Sequence, residues 1–145
     1  MKTKEQVSIA EGLPDGVLCL VDGQIQWGNP AFWNLLKIPE ESIPSTPNLV
    51  DYVASSNQEA LTEALGEAAT QSTILETSIQ TDSSNPISVE IHFTQAENHV
   101  LAVVRDIRAR HEQEERFEEN KQRAAHVERL RALGEMAAGV AHDFN

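Results

Sequence analysis

The chain has 145 residues, of which 40% are hydrophobic and 23% charged, with a net charge of −12. That is the composition of a soluble globular protein with room for one compact domain and an extension, and its sign argues against nucleic acid or an anionic membrane surface as partner. It has no apolar run of about eighteen residues to span a bilayer, and Met1-Lys-Thr-Lys-Glu-Gln6 lacks the apolar core of a signal peptide, so a cytoplasmic location is expected.

The charge is unevenly spread. Residues 1–106 carry four Lys/Arg against fifteen Asp/Glu, and residues 107–145 carry seven against eight. The first stretch reads as an acidic domain, the second as a solvated helix dense in both signs. A boundary near Asp106 follows. The single cysteine, Cys19, rules out an internal disulfide framework, and its place in an apolar run predicts a buried, inert thiol.

In chain order, residues 3–11 read as a short, weakly amphipathic helix, and Leu13-Pro-Asp-Gly16 as a turn. Val17-Leu-Cys-Leu-Val21 is a continuous apolar run, which predicts a strand covered on both faces. Asp22-Gly23 tolerates positive φ at both positions and predicts a tight hairpin into Gln24–Trp27, with Ile25 and Trp27 on one face. Asn29-Pro-Ala-Phe32 starts a helix: Asn29 caps free backbone N–H groups, Pro30 suits the first position, and Phe32, Leu35 and Leu36 face inward. Pro39, Pro44 and Pro47 then break the chain into short pieces. Leu49–Ser55 has room for one helical turn, and Asn57–Thr70 is a clearer helix with Leu61, Ala64, Leu65 and Ala68 on one side.

Three strands follow. Thr73–Thr81 puts Leu75, Thr77 and Ile79 on one face, with a loop at 82–86. Ile87–Gln95 alternates, Val89, Ile91 and Phe93 inward against Glu90 and His92 outward. Ala96-Glu-Asn98 turns into His99–Ile107, which supplies Leu101 and Val103. Two strands, short helices and three strands predict an α+β domain around a five-stranded antiparallel sheet.

That order, with Asn29-Pro-Ala-Phe32 after the second strand and Arg105-Asp106-Ile107 closing the last, resembles a PAS domain over roughly residues 11–108. Two positions depart from the family pattern. Arg108 stands where a Thr usually follows Asp-Ile, and Trp33 is bulkier than usual and could fill part of a central cavity. The domains expected are a lead segment 1–12, a PAS sensor domain 13–107, a signalling helix 108–129 and a terminal box 130–145.

From Arg108 to Leu133 there is neither Gly nor Pro, and pairs such as Glu112–Arg116 sit at helical i, i+4 spacing. The apolar seam runs Phe117, Ala124, Val127, Leu130, Leu133, Ala137, Val140, Phe144. Its phase slips once, between Val127 and Leu133, where the steps are three and three. A thin, half-apolar rod of this length predicts a parallel coiled-coil homodimer.

Leu133-Gly-Glu-Met-Ala-Ala-Gly-Val-Ala-His-Asp-Phe-Asn145 is similar, without gaps, to the phosphoacceptor box of two-component sensor histidine kinases. The resemblance implies that His142 accepts the γ-phosphoryl group of ATP and passes it to an aspartate of a response regulator. It also implies that Asp143 orients and activates the histidine, although adjacent helical residues do not face each other. Spacing adds one point: His142 lies two residues from Val140 and two from Phe144, so it points away from the seam.

No Gly-rich phosphate loop is present, so ATP and Mg²⁺ are expected to belong to a kinase domain elsewhere in a longer parent chain, and these residues alone are not expected to autophosphorylate. No cofactor or metal is expected in this chain, because no His/Cys/carboxylate cluster has ligand spacing. For a PAS ligand of unknown identity, Trp27, Phe32, Leu36, Leu61, Leu65 and Ile91 are the candidate lining residues, with simple core packing as the alternative. Two other functions fit the sequence: a PAS module that only dimerises a partner, and a PAS switch whose point is a small ligand.

Overall fold

The computed structural model describes residues 4–81 and 85–144, with side chains from residue 8 onward. The loop expected at 82–86 falls in part outside the described residues. The chain divides into two compact units, residues 1–108 and 109–145.

The first unit opens with α1 (Lys4–Glu11), followed by strands β1 (Gly16–Val21) and β2 (Gln24–Gly28) and helix α2 (Pro30–Leu35). Single 3-10 turns at Glu40–Ser42, Leu49–Tyr52 and Ser55–Asn57 lead to α3 (Gln58–Ala68). Strands β3 (Thr73–Ile79), β4 (Ile87–Ala96) and β5 (His99–Asp106) complete one antiparallel sheet in the order β2-β1-β5-β4-β3. The expected fold class stands: five antiparallel strands, short helices, and a long C-terminal helix α4 (Arg108–Phe144).

The helices cover one face of the sheet. Leu18, Leu20, Val89, Ile91, Phe93, Ala102 and Val104 supply that face, and Phe32, Leu36, Leu49 and Leu61 meet it from the helices and turns, all at 0–1% exposure. The β4 alternation is as expected, but the phase of β5 is not. Ala102 pairs with Phe93 and Val104 with Ile91, so these two face the core, while Leu101 and Val103 lie half-buried on the opposite face. Both residue parities of β5 are apolar, so alternation alone cannot choose between them.

The hairpin between β1 and β2 forms through Asp22 and Gly23, with φ of 51° and 79°, as two positive-φ positions require. Its register carries a bulge. Leu20 pairs with Ile25 but Cys19 with Trp27, leaving Gln26 as an extra residue. A bulge moves every later side chain one step, so Ile25 and Gly28 face the core and Trp27 does not. The expectation that Ile25 and Trp27 share a face is therefore corrected. Cys19, on that same outer face, is half-buried rather than buried.

Asn29 holds the N-terminal half together. It is fully buried, and its Oδ1 accepts from the backbone N–H of Phe32 (3.2 Å), capping α2, and of Val17 (2.8 Å). Its Nδ2 donates to the carbonyls of Ala10 (2.8 Å) and Asp15 (3.0 Å). One side chain thus ties α1, the turn before β1, β1 and α2. At the other end of α2, the Ile38 N–H donates to the Trp33 carbonyl and the Lys37 N–H to that of Asn34, with Lys37 at φ 57°. This is a Schellman ending with lysine where glycine is favoured.

Trp33 is 7% exposed and packs edge-on against Phe32 and Tyr52, at centroid distances of 5.0 and 6.0 Å. It fills interior space, as its size suggests. Gly28 makes room for it: a Cβ there would stand 2.9 Å from the indole nitrogen.

Candidate functional site

The second unit is one uninterrupted helix through Phe144, and it carries the sequence-predicted phosphoacceptor. The large apolar members of the seam are all exposed on it, from 55% at Leu130 and Val140 to 88% at Phe144. At about 100° per residue, the eight seam positions do not fall on one line of this helix. Phe117, Ala124 and Val127 form one stripe, and Leu133, Ala137, Val140 and Phe144 form another roughly 150° around the axis, with Leu130 between them. The phase slip read from the sequence is therefore a change of face.

That change decides the surroundings of His142. By the same geometry His142 lies on the side of Phe117 and Ala124, about 170° from the centre of the downstream stripe. A partner helix packed on Leu133, Ala137, Val140 and Phe144 leaves its imidazole open. Had the upstream stripe continued straight, His142 would have pointed into it. The His142 side chain is 90% exposed and the Asp143 side chain 86%. His142 Nδ1 and Asp143 Oδ1 stand 3.7 Å apart, close enough for charge interaction and too far for a hydrogen bond. Upstream, Arg116 donates to Glu112 at 2.7 Å, an i, i+4 pair on the solvated surface.

In the first unit Phe32, Leu36, Leu61 and Ile91 belong to one core cluster, and Leu65 packs against it. Phe32, Leu36 and Ile91 are packed into the core at 0–1% exposure, and Trp27 is turned out of it by the β2 bulge. Trp27 lines one open space beside α2, and Leu61 and Leu65 line another, a cleft of about 510 Å³ bounded by α3 and the two hairpin ends. Leu20 and Val100 form its floor, with Asn48, Thr62, Gln95, Asn98 and His99 among its polar lining. The hairpin residues were missed in the sequence because nothing local brings Gly23 and Asn98 to one helix. Among the described residues, no group of three or more His, Cys, Asp or Glu side chains could hold a metal ion. None of the described helices is long and apolar enough to cross a membrane.

At the end of β5, Arg108 takes over the place of the expected threonine. The Asp106 carboxylate accepts from the Arg108 backbone N–H (3.0 Å), from Nε (3.1 Å) and from Nη2 (2.7 Å). These Arg108 hydrogen bonds hold the Asp106 carboxyl below the usual carboxylate range, against the opposing effect of its partial burial.

A five-stranded antiparallel sheet with helices over one face, entered through an Asn-capped α2 and left through Asp106-Ile107, is the architecture of a PAS domain. The comparisons agree. Residues 7–67 match the family model described as "PAS domain". The PAS domain of an HTR-like protein from Haloarcula marismortui superposes with a TM-score of 0.60 at 22% identity, covering 71% of this chain and 95% of that one. A domain of a sensory box sensor histidine kinase/response regulator from Geobacter sulfurreducens gives 0.61 at 14% identity, covering 70% and 91%. The PAS domain of nitrogen regulation protein NR(II) from Vibrio parahaemolyticus gives 0.55 at 21%, covering 72% and 100%. No curated protein matches the chain in sequence. The first unit has the PAS fold.

Proposed function

We propose that the chain is the sensory and dimerising part of a cytoplasmic two-component histidine kinase. Input to the PAS domain passes along α4 and controls phosphorylation of His142. The observation that carries this reading is the placement of His142: it sits within the box Leu133–Asn145, exposed, on the face of α4 opposite the downstream apolar stripe. A second copy of the chain, packed through Leu133, Ala137, Val140 and Phe144, would bury that stripe and leave the imidazole free. A ring nitrogen of neutral His142 then attacks the γ-phosphorus of ATP as the bond to the β–γ bridging oxygen breaks, and ADP leaves. The ATP and its Mg²⁺ would be held by a kinase domain of the parent chain. A response-regulator aspartate would take the phosphoryl group on. Asp143, 3.7 Å from the ring, supports the positive charge that forms there once the nitrogen is phosphorylated.

The regulating element is the change of face between Val127 and Leu133. Two helices that pair upstream on Phe117, Ala124 and Val127 must turn about their axes to pair downstream, so a shift in one pairing biases the other. Incubating the purified chain with ATP and a separately supplied histidine-kinase ATP-binding domain tests the assignment. Labelling is expected for the unmodified chain and absent in His142→Ala; equal labelling of both excludes it.

A small-ligand switch is the second reading, favoured by the cleft of about 510 Å³ that contains Leu61 and Leu65. Native mass spectrometry of the purified chain tests it: a co-purified small molecule supports it, and a ligand-free mass with no thermal shift across a metabolite panel counts against it.

A further inference from the structure

A second cleft, of about 480 Å³, lies at the far end of the edge strand β2, where it meets α2. Its lining includes Trp27, Gly28, Trp33 and Asn34, with Glu11 and Glu40. These are the protein's two tryptophans, brought to one place by two separate devices. The bulge at Gln26 re-aims Trp27 out of the core, and on the edge strand β2 it lines this cleft. The bare backbone of Gly28 admits Trp33 from the other side. Bulges that re-aim one side chain recur next to binding sites.

The chemistry around these rings has one sign. Glu11 and Glu40 are both exposed, and among the described residues none of the lining is a lysine or arginine. The surrounding residues 1–106, with fifteen acids against four bases, add a negative field. Indole faces and carboxylates together recognise a weakly hydrated organic cation, the rings through their quadrupoles and the acids through charge. An anion would be repelled, and a small metal ion would gain little from indoles and lacks a ligand set here. We propose that this cleft is a binding site for an organic cation of the alkyl- or quaternary-ammonium class. It shares no residue with the phosphoacceptor box or with the cleft beside α3, so it stands or falls independently of them.

Because both tryptophans line the cleft, intrinsic fluorescence of the full chain reports on it directly. The probe is choline chloride, titrated at constant ionic strength, against its uncharged carbon isostere 3,3-dimethylbutan-1-ol. Saturable change is expected with choline in about the millimolar range or tighter, with the neutral isostere about tenfold weaker or more, the equivalent of ~1.4 kcal/mol. Glu40→Gln is expected to weaken choline several-fold. Trp27→Leu, which leaves the core intact, is expected to weaken it about two- to five-fold, with Trp33 still reporting. No saturable response to choline, an equal response to the neutral isostere, or undiminished affinity in both variants would each overturn the proposal.

Discussion

Asn29→Asp changes one atom and two hydrogen bonds, so its cost can be worked from the structure. The carboxylate keeps both acceptor bonds of Oδ1, to Val17 N–H and Phe32 N–H. The atom replacing Nδ2 now faces two carbonyl oxygens, of Ala10 at 2.8 Å and Asp15 at 3.0 Å, with no proton between them. Losing two donor bonds at a net 0.5–1.5 kcal/mol each, and leaving buried acceptors facing a charge, gives a loss of about 3 kcal/mol. For a domain of this size that is a fall in Tm on the order of 15 °C. The assays are thermal and urea denaturation followed by circular dichroism. Protonation restores one donor, so the variant's carboxyl has a folded pKa raised above its unfolded value. The deficit is then full above that folded pKa and shrinks as pH falls through it. A loss below about 1 kcal/mol, or a deficit that grows on acidification, would refute the account of Asn29 as the hub of the N-terminal half.

Lys37→Gly should raise the urea midpoint, by about 1 kcal/mol of stability, because the Schellman position at φ 57° penalises any residue with a Cβ. Arg108→Ala should cost no more than about 0.5–1 kcal/mol at neutral pH, since the guanidinium is more than half exposed and its pairing is screened. That contribution belongs to a carboxylate with a lowered folded pKa: it is complete above the unfolded value of Asp106 and disappears as pH falls through the folded one, so wild type and variant should converge in acid. Val140→Asp should turn a dimer into a monomer by light scattering, because it sets a charge in the downstream stripe, while His142→Asp on the opposite side should leave the dimer unchanged.

Much of the fold was legible because local chemistry and tertiary position agreed. Asp22-Gly23 demanded a positive-φ hairpin and formed one. Asn29-Pro30 read as a helix start and is one, although three of the four Asn29 bonds go to partners far from the cap and had no local signal. The strand faces failed where the pattern is ambiguous or interrupted. In β5 the run Val100-Leu-Ala-Val-Val104 is apolar at both parities. In β2 one extra residue reverses Trp27, and four residues of alternation are too few to reveal it. The candidate lining residues are ambiguous for a related reason. Phe32, Leu36 and Ile91 are the side chains of a lining and equally those of a core, and only three-dimensional packing distinguishes the two. The helix seam was legible residue by residue. So was the placement of His142 off that seam; that the two halves of the seam face nearly opposite ways emerged only when one unbroken helix fixed the angles.

The most direct test of the central claim is the chemical identity and position of the phosphoryl group after incubation with ATP and a separately supplied kinase domain. A phosphoryl group on an imidazole nitrogen is lost in acid and retained in alkali, unlike one on serine or threonine. The account predicts a single acid-labile, alkali-stable label on the peptide containing His142, absent in His142→Ala and transferable to a response-regulator aspartate. An acid-stable label, or one that survives in His142→Ala, would contradict it.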